Sequence, residues 1–496
     1  MNYQTFIQSK TRKPTTFGFE VDDINKHAFD WQERIIRWAL QRGRAAVFAE
    51  CGLGKTLMQL EWARHVVNKT GLPVMVHCPV GVREQTVNEA KKFGIRNQIC
   101  IQACNSTDDI KPESICIVNY EKLHKFDTSI FGGVVLDESS ILKNFTGKTK
   151  QQLISQWHHV KYRLACTATP APNDHMELGN HADFLGVMPS NEMLSRWFIN
   201  DTMKAGGYRL KGHAQKDFWQ WVSSWAVCVA KPSDIGGSDE GFDLPELLEE
   251  IHVVHEEHIE AEPGMLFNNF ALSATNVHRQ KRLTSQMRSA KVASLVDKNE
   301  PWIIWCDTNY EADELKKAMP FAVEVRGSDT DKVKSHKLVE FSTGKFNTLI
   351  TKPSVAGFGM NWQHCSNMAF VGLSYSFEAY YQAVRRCWRF GQHKPVHVNV
   401  VESDGESALR RAIIGKQKQF KQMQTGMVDA VIVLDPFLGS GTTLIAAEQL
   451  GRTCYGIEIE PRYVDVTCAR WARLTGKLPV RESDGAEYPM EIDHDR

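Results

Sequence analysis

The chain has 496 residues, 42% apolar, 24% charged and 10% aromatic, which excludes wholesale disorder and requires more than one core. Its 59 Lys and Arg balance its 59 Asp and Glu, so net charge neither demands nor forbids a polyanionic partner; only a local basic track would decide. No run of about 18 apolar residues occurs and the first residues lack a signal-peptide core, so no membrane partner and a cytoplasmic setting are expected.

In chain order, the first third alternates short apolar runs with helical patterns, which suggests a parallel sheet with crossover helices. Ala45–Ala49 reads as a buried strand. Lys55–Asn68 follows as a helix, with Leu57, Leu60, Ala63 and Val67 on one face and Gly71 as its stop. Further strands are expected at Val74–Cys78, Ser114–Val118, Val134–Leu136 and Arg163–Thr167. The turn after the first strand is Ala49-Glu-Cys-Gly-Leu-Gly-Lys-Thr56. Gly52 and Gly54 let backbone N–H groups turn inward around phosphates at a helix N-terminus. Lys55 would reach the outer phosphates, and Thr56 would bind Mg²⁺. Gly132-Gly-Val-Val-Leu-Asp-Glu138 is an apolar strand ending in two carboxylates. Asp137 suits the Mg²⁺ shell, and Glu138 suits the orientation and deprotonation of an attacking water.

Between residues 191 and 250 the pattern changes: Trp197, Trp219, Trp221 and Trp225 cluster near helical stretches, and a helical insertion and hinge is expected. Strand–helix alternation resumes at Trp302–Cys306. Thr308 and Glu311 form a capping box for a helix over Asn309–Met319. Strands at Ala322–Val325, Thr348–Thr351, Ala369–Leu373 and Val396–Val401 complete a second α/β lobe. It carries Tyr381-Gln-Ala-Val-Arg-Arg-Cys-Trp-Arg-Phe-Gly-Gln392, with Arg386 and Arg389 three apart, on one helical face if the helix persists there. Arginines offered from a second lobe reach a terminal phosphate only when the lobes close. The 12 cysteines are scattered without a C-x-x-C pair and read as buried free thiols.

A third, short α/β piece begins at Val431–Leu434. Leu434-Asp-Pro-Phe-Leu-Gly-Ser-Gly-Thr-Thr443 follows that strand, and Gly456-Ile-Glu458 ends a second one, 23 residues after Asp435. A glycine turn (Gly439, Gly441) preceded by Asp435, with an acid such as Glu458 at that distance, can hold a nucleoside. The last residues, 481–496, read as an acidic tail.

These motifs together resemble those of superfamily 2 helicases. Phe48–Thr56, Asp137-Glu-Ser-Ser140 with Ile141-Leu-Lys-Asn144, and Thr167-Ala-Thr-Pro-Ala-Pro-Asn173 resemble motifs I, II and III. Ala356-Gly-Phe-Gly-Met-Asn361 resembles motif V, and the arginine segment motif VI of the Swi/Snf-type branch. The resemblance implies two RecA-like lobes, ATP and Mg²⁺, and adenine recognition by Gln32. It also lets the motif V loop, with Gly359, approach the phosphates or the nucleic-acid backbone, and makes Arg386 and Arg389 catalytic together with Lys55, Asp137 and Glu138. It implies a DNA partner, duplex favoured, with an RNA helicase as the alternative. Lys143, Lys148, Lys150 and Arg83 stand where they could track phosphates. Ala49 and Ala168 replace common glycines of the family, and Tyr375 stands where relatives often carry an acid.

The stretch around Asp435 resembles motifs I and II of DNA amino-methyltransferases, which implies S-adenosylmethionine as its ligand. The chain contains no Pro-Pro dipeptide with which those enzymes grip a flipped base, so a truncated fragment without methylase activity is expected. A methyltransferase or restriction–modification subunit supplying the rest is the alternative. The expected fold class is α/β: lobe one over residues 1–190, insertion and hinge over 191–250, lobe two over 251–426, and a Rossmann-like fragment over 427–480. By analogy, the combination suits phage or prophage DNA-modification equipment in a bacterial cell.

Overall fold

A computed structural model of the chain describes residues 17–144, 147–201, 207–255, 274–356, 360–449, 452–483 and 485–488. The first lobe opens with α1 (Asp30–Arg42), β1 (Arg44–Ala49) and α2 (Lys55–Thr70), then β2 (Val74–Cys78), α3 (Arg83–Lys92), β3 (Cys100–Ala103) and β4 (Ser114–Asn119). It continues through β5 (Gly133–Asp137), α4 (Lys148–Trp157), β6 (Tyr162–Thr167) and α5 (Leu178–Leu185). The strands are mostly apolar because helices cover both sheet faces: β2, β4, β5 and β6 are buried at every position. Gly71 ends α2 in the left-handed region, its N–H returning to the Val67 carbonyl.

The expected helical insertion differs in part. It contains α6 (Ser190–Trp197), an antiparallel hairpin of β7 (Phe198–Asp201) and β8 (Gly207–Leu210), α7 (Gln215–Ser223) and β9 (Ala226–Val229). β9 pairs in parallel with β1, making the lobe-one sheet seven-stranded in the order β3-β4-β2-β5-β6-β1-β9. The tryptophans hold this strand in place: Trp197 and Trp221 stack at 4.6 Å, and Trp221 meets Trp225 edge-on at 5.4 Å.

Lobe two begins with β10 (Leu247–Val254), α8 (Ala274–Leu283), α9 (Ser285–Leu295), β11 (Trp302–Trp305), α10 (Asn309–Ala318), β12 (Val323–Val325) and α11 (Asp331–Ser342). β13 (Thr348–Thr351), α12 (Pro353–Ala356), β14 (Asn367–Phe370), α13 (Phe377–Val384) and β15 (Val396–Ser403) complete it. The six strands are parallel, in the order β10-β15-β14-β11-β13-β12. The capping box forms: Thr308 Oγ1 accepts from Glu311 N at 3.4 Å and Glu311 Oε2 from Thr308 N at 3.0 Å.

From lobe two the 25-residue α14 (Ser407–Val431) runs back onto lobe one and packs on α7. Gly426 makes this possible: a Cβ there would lie 2.6 Å from Trp219 Nε1. The helix crosses the expected boundary at 426, and Met427 is buried. Beyond it, β16 (Ile432–Asp435), α15 (Thr442–Gln449), β17 (Thr453–Gly456) and α16 (Pro461–Thr475) form a separate piece around two parallel strands. Among the described residues no helix is long and apolar enough to cross a membrane, and all 12 cysteines are free.

Candidate functional site

The loop between β1 and α2 lies at the C-terminal end of the lobe-one sheet. Its curvature depends on Gly52 (φ 94°) and Gly54 (φ 72°), both in the left-handed region that a side chain disfavours. The loop thereby ends at the N-terminus of a 16-residue helix, where free N–H groups and the helix dipole favour an anion. Lys55 Nζ donates to the loop's own carbonyls, Ala49 O at 2.8 Å and Glu50 O at 3.3 Å. Gln32 is buried against the loop: Nε2 donates to Leu53 O at 2.9 Å, and Oε1 accepts from Phe29 N at 3.0 Å.

Asp137 closes β5 facing the first turns of α2, where Gln59 Nε2 donates to its Oδ1 at 2.7 Å. Thr56 lies three residues before Gln59, on the same helical face. Glu138 adopts φ 53°, ψ 54°, a left-handed conformation that costs a non-glycine residue on the order of 1 kcal/mol. That turn aims its carboxylate at motif III, where Thr167 Oγ1 donates to Oε2 at 3.2 Å. Burial, and then the neighbouring Glu138 charge, push the Asp137 carboxyl up to about 7. Two adjacent carboxylates with one so strained electrostatically fit a hard divalent cation, which would remove the penalty; such an ion completes its shell with water and phosphate oxygens.

The second lobe brings its arginine segment against this loop. α13 ends at Val384, so Arg386 and Arg389 stand in consecutive turns rather than on one helix. The physical reason is that the Arg386 carbonyl accepts from Trp362 N at 3.0 Å, which draws it out of the helical ladder. Arg386 Nη1 and Arg389 Nη1 both donate to Met360 O, at 3.0 and 3.4 Å. Arg389 Nε has no hydrogen-bond partner. A Cβ on Gly52 would lie 3.1 Å from Phe390 and 3.6 Å from Arg389 Cβ. Burial and then Arg386 bring the Arg389 guanidinium down to about 10, which still leaves it charged. Of motif V, residues 357–359, and so Gly359, lie outside the described residues.

Of the basic residues expected to track phosphates, Lys143, Lys150 and Arg83 have partners within the chain and Lys148 is exposed. Lys143 crosses to lobe two and pairs with the Glu378 carboxylate, which also accepts from Thr169 Oγ1 at 3.3 Å. Lys150 is buried and donates to Ser190 Oγ at 3.2 Å, with Asp183 at 3.9 Å. Arg83 donates to Asn105 Oδ1 at 3.1 Å, and Lys148 is exposed. Sequence reasoning did not single out Glu378, Gln59, Glu50 or Arg385. Gln59, one turn after Lys55, had a local signal in its spacing; the others have partners more than 200 residues away and none.

In the C-terminal piece, Asp435 and Glu458 lie at the ends of adjacent parallel strands, in register Asp435↔Gly456. Asp435 Oδ1 accepts from Phe437 N at 3.0 Å; Glu458 accepts from Gly439 N at 2.6 Å and Glu460 N at 2.9 Å. These amides, the Glu460 N–H foremost, hold the Glu458 carboxyl below its usual range. Gly441 adopts φ 76°, and a Cβ there would meet Thr467 of α16 at 2.5 Å. Phe437 and Ile459 are 88% and 96% exposed, as expected where two strands lack the rest of a sheet.

Fold and geometry define a two-lobe α/β protein in which a P-loop of the first lobe meets an arginine-rich turn of the second. Residues 31–217 match the profile of the SNF2-related domain, 286–391 that of the helicase conserved C-terminal domain, and 428–469 that of DNA methylase. The chain is 26% identical over 206 residues to helicase SWR1 of Candida albicans, covering 38% of this chain and 12% of that protein. It is 34% identical over 73 residues to the type II methyltransferase M.ScaI of Streptomyces caespitosus, covering 13% of this chain and 24% of that enzyme. It therefore spans a quarter or less of the length of these curated relatives. A solved structure, the SWI2/SNF2 ATPase core of Sulfolobus solfataricus in complex with dsDNA, aligns at 19% identity and a TM-score of 0.40, over 83% of this chain and 96% of that one. The chain thus carries, in order, segments that match the SNF2-related, helicase conserved C-terminal and DNA methylase profiles.

One consequence concerns pH. If Asp137 holds the cation of an ATP site, it must lose its proton to do so, and the Mg²⁺ concentration for half-maximal ATP turnover is then expected to rise about tenfold per pH unit below about 7. Gln59→Met removes a hydrogen bond that favours the carboxylate, so it should move this rise to higher pH. Mg²⁺ titrations between pH 6 and 8 check both; a half-saturation independent of pH would contradict them.

Proposed function

We propose that the protein is an ATP-driven motor that hydrolyses ATP between its lobes and moves along DNA, duplex in preference. The observation that carries this reading is the approach of the Arg385–Phe390 turn of lobe two to Gly52 of the phosphate loop in lobe one. The loop amides and Lys55 bind the phosphates, and Gln32 reads the adenine edge. Thr56 and Asp137 would hold Mg²⁺, which would supply positive charge against the developing phosphate charge. Glu138 orients the attacking water and takes its proton, while Arg386 and Arg389 add positive charge as the lobes close. Loss of the terminal phosphate removes what those arginines grip, and the lobes part; alternation of the two states is movement.

DNA as the track is supported by the helicase domains together with the DNA-methylase segment. That segment also favours a second reading, a DNA-modification component, because Asp435 and Glu458 sit at adjacent strand ends as a nucleoside site requires. Two strands without a Pro-Pro loop leave the target base unheld, so on our reading the chain by itself transfers no methyl group.

One set of assays separates these. ATP turnover is measured alone and with single-stranded DNA, duplex DNA and RNA at rising salt, and with labelled S-adenosylmethionine added. Duplex DNA should stimulate most, and the stimulation should fall steeply with salt because the contacts are to phosphates. Stimulation by RNA only, or by no nucleic acid, overturns the DNA motor. Label passed to DNA, and lost in Asp435→Ala, would establish the second reading instead.

A further inference from the structure

Glu50 belongs to the phosphate loop by sequence and to lobe two by contact. Its carboxylate is buried (5% exposed) and accepts from the Tyr381 hydroxyl, from Arg385 Nη2, and from Gln424 Nε2 of α14 at 3.3 Å. Its main chain anchors the loop: N donates to Val229 O of β9 at 3.0 Å, and O accepts from Leu53 N and Lys55 Nζ, each at 3.3 Å. A pull on the carboxylate is therefore carried to the turn and to the phosphate lysine. Arg385 is equally buried, donates to Trp388 O at 3.1 Å, and lies over the rings of Trp388 (4.8 Å) and Tyr381 (5.7 Å). Arg386 and Arg389, by contrast, bond to Met360 O within their own lobe.

A buried ion pair contributes little net stability, because desolvation offsets attraction, but stranding one partner is costly. The Glu50–Arg385 pair exists only while the lobes are together; once they part, water replaces each partner. We propose that Glu50, Arg385 and Tyr381 form a positioning latch that sets the phosphate loop and Lys55 when lobe two arrives. Arg385 is the closure residue, and Arg386 and Arg389 are left for the phosphates. This rests on the ATP-hydrolysis reading above for its consequence, but not for its geometry.

The test uses the full chain with Arg385→Gln, Glu50→Gln and the double variant. Steady-state ATP turnover with duplex DNA, amide hydrogen exchange across residues 50–56 and thermal melting are compared. Each single variant should lower kcat about tenfold or more while KM for ATP changes less than about threefold, and should speed loop exchange about tenfold. The double variant should lose no more than about twice what the worse single loses, because both remove one interaction. Wild-type kcat and exchange in the single variants, or losses that multiply in the double, overturn the latch. If the unsubstituted protein turns over no ATP, the hydrolysis reading fails, and the exchange comparison still decides the latch. Should Arg385→Gln melt, Tyr381→Phe carries the test: faster loop exchange at an unchanged melting temperature is expected, and unchanged exchange overturns it.

Discussion

Lys55→Ala and Glu138→Gln are each expected to lower ATP turnover by at least about 10²-fold, since positioning and charge neutralisation carry phosphoryl transfer. The two should fail differently. Lys55 holds the Ala49 and Glu50 carbonyls at 2.8 and 3.3 Å, so its loss removes both a phosphate ligand and a brace of the loop; ATP affinity should fall with the rate. Glu138→Gln keeps the Thr56 and Asp137 ligands and can still accept from Thr167 Oγ1. It also removes the charge that, after burial, raises the Asp137 pKa, so Mg²⁺–ATP should bind as well as before. Equilibrium binding of a fluorescent ATP analogue beside steady-state turnover separates the cases. Turnover near that of the unsubstituted protein in either variant would remove that residue from the site.

Arg389→Ala should abolish most hydrolysis, by about 10³-fold if it acts as an arginine finger, while leaving ATP and DNA binding in place. Its Nε is unpartnered and its Cβ lies beside Gly52, whereas its Nη1 makes a long 3.4 Å bond to Met360 O. The side chain has little structural work to lose. Arg386 is held more firmly, by Gln382 O at 3.1 Å and Met360 O at 3.0 Å, so Arg386→Ala should also loosen the motif V contact and lower the melting temperature. Single-turnover hydrolysis with pre-bound ATP reads the Arg389 effect directly. Unchanged hydrolysis in Arg389→Ala would sink the finger role.

Much of the architecture is legible along the chain because its causes are local. Val74–Cys78 and Thr348–Thr351 are short runs rich in apolar and β-branched residues, and they form strands over those same residues. Thr308 and Glu311 make a cap within one turn. The phosphate loop likewise needs only two glycines, a lysine and the helix that follows. The segment 191–250 was less legible. Trp197, Trp219 and Trp221 do lie in helices, but β9 is a four-residue run that becomes a strand only because the β1 edge is open beside it.

What the linear chain determines on its own, then, is the set of chemically competent pieces: the loop of Gly52 to Thr56, the Asp137–Glu138 strand end, an arginine-rich segment, and a nucleoside-type turn at Asp435. Each depends on residues within a few positions of one another, and periodicity or spacing reports it. Tertiary structure alone decides which of those residues face the same point. It turns Arg385 rather than Arg386 or Arg389 onto Glu50, 335 positions away. It also pairs Lys143 with Glu378 and Lys150 with Ser190. The physical reason is that a charged side chain buried between two lobes must find its counter-charge wherever the sheets bring one, and no local pattern encodes that distance.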